Sequence, residues 1–382
     1  MTTRVERAQA IAFRVARHDL ARRRPPGDVE GAVAGGLQDT PLGAVRVSLH
    51  ARVEGFDAGV LERALHDKRV VELWAMRGAP HVVPARDVAL FTAGIDARDD
   101  DSLRAKLASF AGHLERAGIA PGDAIARVAA EVDDVLGDAT MTKPELSTAV
   151  SRRLPPELVP WCDACKVHHV SESALRTAAH RGSVLVAPWA GRHVALVRTA
   201  TWLGSPRAVD TDEARRALLV RYLERFAPST PGDFAEWCNV GPADARRTWE
   251  LVAGDLARVE LDGRAVFARA ADVAELESPP QPRGVRLLPA HDSYLSARDR
   301  VTIVPDDALR KQVWRTIGNP GAVLVDGEVA GTWRGRKKGA SLEVSVRVAA
   351  HTTRAARAGI EDETAALAPL RGCSRVRLSF DG

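Results

Sequence analysis

Apolar residues recur at helical spacing from the start of the chain. Val5, Ala8, Ile11, Ala12, Val15 and Ala16 share one face of a helix predicted over 4–20, with Arg4, Arg7, Arg14 and Arg17 mostly on the polar remainder. The run Arg22-Arg23-Arg24-Pro25-Pro26 ends it, because proline cannot continue a helix. A glycine-rich stretch then leads into Leu37-Gln38-Asp39-Thr40-Pro41. Thr40 as N-cap and Pro41 in the first helical position predict a helix to about residue 53, with Leu42, Val45, Leu49 and Val53 on one face. A second helix is expected over 57–67, then strands at 70–74 and 80–84 around a Met76-Arg77-Gly78 turn. Helix, helix, hairpin is the order of a winged helix-turn-helix.

The order returns twice. Thr142 caps a helix near 143–154, a loop with Cys162 and Cys165 leads to a helix at 171–181, and strands at 184–187 and 193–198 flank a Pro188-Trp-Ala-Gly191 turn. A helix over 211–226 then precedes a short one at 231–237, a Gly241-Pro242 turn, and a candidate recognition helix at 242–253. Strands at 258–261 and 265–268 flank Asp262-Gly263, a strong hairpin signal. After the proline-rich linker at 277–282 the pattern turns to β, at 285–288, 323–325, 329–333, 342–348 and 376–380, interrupted by a helix near 352–366. The pattern predicts an α+β protein in which three tandem winged helices precede a small β-rich subdomain. The expected segments are 1–136 (N-terminal helix, first winged helix and helical connector), 137–205, 206–276 and 285–382.

Composition changes this picture little. With 382 residues, 45% of them hydrophobic, the chain is globular and long enough for more than one core. It has no apolar run near the ~20 residues that span a bilayer, no secretory signal at the start, and too few cysteines for a disulfide framework. These features lead us to expect a cytoplasmic, nucleoid-associated protein in a reducing compartment. Net charge is only +4, which does not demand a polyanionic partner. The bases are almost all arginine: seven of 54 are lysine. Arginine suits bidentate phosphate contact, although a GC-rich coding bias gives the same composition.

Several residues are candidates for contact with a partner. Arg46 and His50 share one face of the helix after the glycine-rich stretch, and Ser48 and Arg52 share another, so Arg46, His50 and Arg52 could reach phosphates or form an ordinary solvated face. Arg77 and His81 fall on the first wing, and Arg246 and Arg247 on the third candidate recognition helix. His291-Asp292 follows an apolar strand; it can line a pocket or simply dock the β-rich subdomain. Cys162-x-x-Cys165 with His168 and His169 has something of a zinc cluster, but adjacent side chains on a strand point to opposite faces, so no metal is expected.

Longer stretches make the chain recognisable. They are Gly36-Leu-Gln38, Arg77-Gly-Ala-Pro-His81-Val-Val-Pro84, Trp161-Cys-Asp-Ala-Cys165 with His168-His169, Ala227-Pro-Ser-Thr230 with Phe234-Ala-Glu-Trp237, Leu288-Pro-Ala-His291-Asp292-Ser-Tyr294-Leu295, and Asp326-Gly-Glu-Val-Ala-Gly-Thr-Trp333. Together they resemble the winged-helix bacterial DNA glycosylases of the azinomycin-resistance (AlkZ-like) family. The resemblance implies a C-terminal β-barrel, no cofactor, and removal of bulky N7-alkylguanine adducts or unhooking of crosslinks. It also implies a catalytic Gln-x-Gln or Gln-x-Asp motif. Here Gln38 fits the first position, Thr40 occupies the second, and the carboxylate stands one residue earlier as Asp39. That displacement points to a product-specific subgroup such as the trioxacarcin-type self-resistance glycosylases.

The chemistry suits these residues. An N7-alkylated guanine is cationic and leaves without a strong general acid. An ionised carboxylate can stabilise the oxocarbenium-like sugar and take a proton from water, and a Gln amide can hold that water. Asp and Thr before a Pro-led helix are also ordinary capping residues, so Thr40 is expected as the cap, with Gln38 and Asp39 as the catalytic pair. Lyase chemistry would need an amine nucleophile, and the nearest lysine in sequence is Lys68, so the expected enzyme is monofunctional. The expected partner of this monomer is double-stranded DNA carrying an alkylated purine. The competing reading is a non-enzymatic winged-helix regulator, for which a carboxylate beside DNA would only repel phosphate.

Overall fold

The computed structural model describes residues 3–182, 184–187, 194–204, 209–349 and 352–381. The chain folds as two compact units, each assembled from separated stretches. One comprises Met1–Ala64, Arg221–Asp233 and Gly254–Gly382; the other comprises Leu65–Val220 and Phe234–Ala253. Among the described residues, no helix is long and apolar enough to cross a membrane.

The first unit begins with a short strand, Thr3–Val5, and the helix Arg7–Arg17. The strand lies parallel to Leu256–Leu261, which forms a hairpin with Arg264–Arg269. Val5, Ala10, Phe13, Val259, Leu261, Val266 and Leu276 pack together beneath it. Arg14, expected on the polar surface, is instead 1% exposed. Its guanidinium donates to the Ala227 and Pro228 carbonyls and to Asp299 at 3.0 Å, so buried acceptors pull one arginine of the polar stripe inward.

The linker leads into a five-stranded sheet of Val285–Leu288, Gly321–Val325, Glu328–Lys338, Ser341–Val348 and Arg375–Phe380, in that spatial order. The first four strands are antiparallel neighbours, and the last runs parallel to Ser341–Val348 after the helix Arg354–Leu370. The sheet does not close into the barrel that the resemblance implies. Val285–Leu288 and Arg375–Phe380 remain its two outer strands, and the helix Arg354–Leu370 packs against both. The helix therefore packs against the same two strands that a closed barrel would have to join. The Trp333 indole N–H donates to the Leu288 carbonyl at 2.8 Å and ties the outer strand Val285–Leu288 to Glu328–Lys338 across the strand between them.

In the second unit the hairpin Val70–Trp74/Pro80–Pro84 joins the hairpin Val184–Val186/Ala195–Arg198 through a Glu72–Val186 bridge. Thr140–Thr142 extends the sheet beyond Ala195–Arg198. The strands read as two separate wings thus belong to one sheet. Helices including Pro121–Leu136 and Glu172–Ala179 close a core with Leu107, Ile125, Val128, Leu146 and Leu196. Thr142 and Glu145 form a reciprocal capping box at the start of Lys143–Ser151. The Pro188-Trp-Ala-Gly191 turn lies outside the described residues.

Candidate active site

Gln38, Asp39 and Thr40 sit in the first unit, immediately before the helix Ala44–Arg52. That helix starts later than the sequence pattern predicts. The Thr40–Pro41 peptide is cis, and Pro41 to Gly43 form a turn closed by an Ala44 N–H to Pro41 carbonyl bond of 2.9 Å. Gly43 takes the cap position at φ 85°, a conformation that suits glycine, and Leu42 is exposed instead of joining the apolar face. Thr40 is therefore not the cap. The Asp39 carboxylate reaches over the turn, and its Oδ1 accepts the Val45 N–H at 2.9 Å. The helix start is thus capped by the side chain of Asp39, not of Thr40.

Asp39 and Gln38 are each 6% exposed. Burial pushes the Asp39 carboxyl above the ordinary 3.8, while the N–H groups of Val45, Gly43 and Ala44 and the charge of Arg46 oppose the shift without cancelling it. Asp39 is thus a stronger base than an exposed aspartate at a helix N-terminus. Neither residue has a polar side-chain atom that is both sealed from solvent and unpartnered. A cavity of about 210 Å³ opens directly after the motif, lined by Pro41, Ala44, Val47, Pro289, Trp333, Arg334 and Arg371.

The other candidates separate into buried and exposed groups. Arg52 and Asp292 meet inside the first unit, 1% and 0% exposed. The guanidinium grips both carboxylate oxygens at 2.7 and 2.9 Å, and Asp292 also accepts the Ser48 hydroxyl at 2.6 Å and the Tyr294 N–H at 3.0 Å. Every strong acceptor direction of Asp292 is occupied, and the pair ties the helix Ala44–Arg52 to the turn after Val285–Leu288. His291 occupies that turn at φ 62°. Arg46 remains on the surface, 3.1 Å from Glu62, and His50 Nε2 lies 3.5 Å from Glu363. Burial opposes it, but His50 and Arg23 hold Glu363 below the usual carboxylate range.

Arg77, His81, Arg246 and Arg247 belong to the second unit. Arg77 and Arg246 are exposed, and Arg247 donates to Asp99 at 2.6 Å. His81 is buried, with Nδ1 2.9 Å from the Ala79 carbonyl, and burial drops its pKa to about 4. It is uncharged at neutral pH and is not placed to meet phosphate as a cation. The unfolded chain binds this proton below about pH 6.5, whereas the folded chain resists until about pH 4. Folding should therefore lose stability as pH falls through that window, by up to about 3 kcal/mol from His81 alone. Urea denaturation of wild type and His81→Gln between pH 7 and pH 4 should show a shallower loss in the variant.

The sequence reading missed a basic surface on the five-stranded sheet. Arg334 and Arg336 alternate onto one face of Glu328–Lys338, and a groove there is also lined by Arg377. A second hollow, about 390 Å³, is lined by Lys311, Arg315, Arg334 and Arg347. The run Arg334-Gly-Arg-Lys-Lys338 is plain in the sequence, but the expected strand stopped at 333 and left it unassigned.

The chain matches the family model described as "DNA glycosylase AlkZ-like" over residues 32–370. It is 26% identical, over 96% of its length and 97% of the relative's, to a Streptomyces sahachiroi protein named "Interstrand DNA cross-link repair glycosylase". Its fold is similar to that of the solved Streptomyces sahachiroi DNA glycosylase AlkZ, with a TM-score of 0.78 and 22% identity over 99% of this chain and all of that one. The family match spans most of the chain, including Gln38-Asp39 and Arg334–Lys338: this protein belongs to the AlkZ-like DNA glycosylases and is a DNA glycosylase.

Proposed function

We propose that this glycosylase releases bulky N7-alkylguanine adducts from double-stranded DNA, unhooks crosslinks formed through such adducts, and serves in self-resistance to a genotoxic antibiotic. The single observation that carries the reading is the Asp39 carboxylate. It stands beside Gln38 and caps the helix Ala44–Arg52, and the residues that follow it, Pro41 and Ala44, line a cavity edged by Arg334 and Arg371. The arginines attract the phosphates. The carboxylate faces the sugar, where positive charge grows as the base departs.

In this reading Gln38 orients the attacking water and Asp39 stabilises the oxocarbenium-like sugar and accepts the water's proton. Burial raises its pKa, which strengthens the second role. The three lysines of this unit are engaged elsewhere: Lys311 with Asp307, Lys337 with the Gly372 carbonyl, and Lys338 with Glu343. That supports a monofunctional enzyme, which leaves an abasic site. The relative's name, an interstrand cross-link repair glycosylase, supports the crosslink substrate. The displaced carboxylate supports assignment to a product-specific subgroup.

The test is incubation of the purified protein with duplexes carrying defined N7-guanine adducts, reading abasic sites by strand cleavage after heat and alkali. Release from the adducted duplex and none from undamaged DNA is the expected result; no release from any alkylated purine would remove the substrate assignment. Arg334 and Arg336 should each contribute a phosphate contact. Alanine at either is expected to lower the slope of log K against log salt by about 0.9, with little change in single-turnover excision at saturating enzyme. An unchanged slope would place the duplex elsewhere.

A further inference from the structure

The two-stranded hairpin Trp161–Cys162/Val167–His168 of the second unit has no part in the glycosylase reading, yet it is built in unusual detail. Lys166 holds φ 56°, and its N–H closes the turn onto the Cys162 carbonyl at 2.8 Å. The turn aims the N–H groups of Cys165 and Ala164 at the Cys162 sulfur. Backbone amides directed at a cysteine sulfur stabilise a thiolate and leave its outward lone pairs free.

The two adjacent histidines take different roles, which resolves the objection that both cannot serve one ion. His168 turns away: its Nδ1 lies 2.9 Å from the Val159 carbonyl and its ring stands edge-on to Trp161. His169 Nδ1 lies 2.7 Å from the Val170 carbonyl, which fixes its proton there and leaves Nε2 as a lone-pair donor. That Nε2 is sealed from solvent and has no hydrogen-bond partner. A backbone carbonyl holding the far nitrogen is the usual support of a metal-bound imidazole.

We propose that Cys162, Cys165 and His169 bind one zinc ion. Their ligand atoms all lie within 4.8 Å of one another. Tetrahedral zinc with bonds near 2.3 Å separates its ligands by about 3.8 Å, so the cluster closes around the ion with shifts of no more than about 1 Å. Two thiolates and an imidazole select a borderline-soft ion over magnesium or calcium, which take oxygen ligands. The fourth position faces solvent beside the exposed Cys165 and is taken by water. Binding displaces the thiol protons, so affinity rises with pH until both sulfurs are ionised.

The test uses the full-length protein, purified under reducing conditions without chelator. Elemental analysis should find one zinc per chain, and cobalt substitution should give the near-ultraviolet thiolate charge-transfer band. Cys165→Ser and His169→Ala should lose both signals, and His168→Ala should keep them. Chelator-stripped wild type, checked by circular dichroism, is titrated with zinc alone, so the proposal does not depend on a variant that fails to fold. One-to-one uptake supports it. Failure of the reduced wild type to take up zinc overturns it, as does metal retention by His169→Ala equal to wild type. A Cys162–Cys165 disulfide found by mass spectrometry in protein that cannot be loaded also overturns it and marks a redox pair instead.

Discussion

Asp39→Asn is expected to lower adduct release by about 10²–10⁴-fold, the range associated with losing a positioned base. The variant should bind adducted duplex at least as tightly as wild type, because only a charge that repels phosphate is lost. The comparison is needed because Asp39 also caps the helix Ala44–Arg52 through Val45. Asn is itself a good cap, so Asp39→Asn should keep the stability of wild type, whereas Asp39→Ala should lose about 1 kcal/mol as well as activity. Single-turnover rates and urea midpoints on both variants separate the two roles. Equal rates in Asp39→Asn and wild type would remove the carboxylate from the mechanism. The wild-type rate should fall at low pH as Asp39 takes up a proton, and that limb should lie above the ordinary aspartate range because burial raises its pKa. On the proposed role of Gln38 in holding the water, Gln38→Ala should slow release, and because the side chain is buried the urea midpoint is measured alongside to separate that effect from a packing loss.

The second large effect is on stability. Arg52→Ala strands Asp292, a carboxylate with no exposed surface, in a low-dielectric interior. Removing one partner of a buried pair typically costs 3–5 kcal/mol. The loss should appear as a lower urea midpoint. The salt dependence of DNA binding should not change, because the guanidinium is occupied inside the protein. A variant with wild-type stability and a reduced salt slope would return Arg52 to the DNA-contacting surface. Replacing both partners with apolar residues of similar volume should recover much of the loss, because no unpaired charge then remains.

Much of the local structure was legible along the chain. The hairpins at Val70–Trp74/Pro80–Pro84 and Leu256–Leu261/Arg264–Arg269 follow from alternation and turn residues, and the capping box at Thr142 from spacing alone. The Gln38-Asp39 motif and the family resemblance were also visible, since both are statements about order. The start of the helix Ala44–Arg52 was not. Thr40-Pro41 is a good capping pair, but Gly43 can adopt the positive φ that lets the chain turn once more first. The polar face predicted for Arg52 failed for a related reason. Helical periodicity places Ser48 and Arg52 together but cannot say that a carboxylate from residue 292 meets them there.

Sequence by itself determined the element types, the repeated helix-helix-hairpin order, and the residue types offered for glycosidic chemistry. These depend on neighbours within a few turns of chain, where spacing and side-chain chemistry act directly. Tertiary structure alone decided which arginines are buried ties and which form a basic surface. It also decided that the hairpins at 70–84 and 184–198 share one sheet, that the C-terminal sheet stays open under its helix, and which of two adjacent histidines faces the paired cysteines. The physical reason is the same in each case. Desolvation and long-range pairing set these outcomes, and both depend on groups that the chain brings together only when it folds.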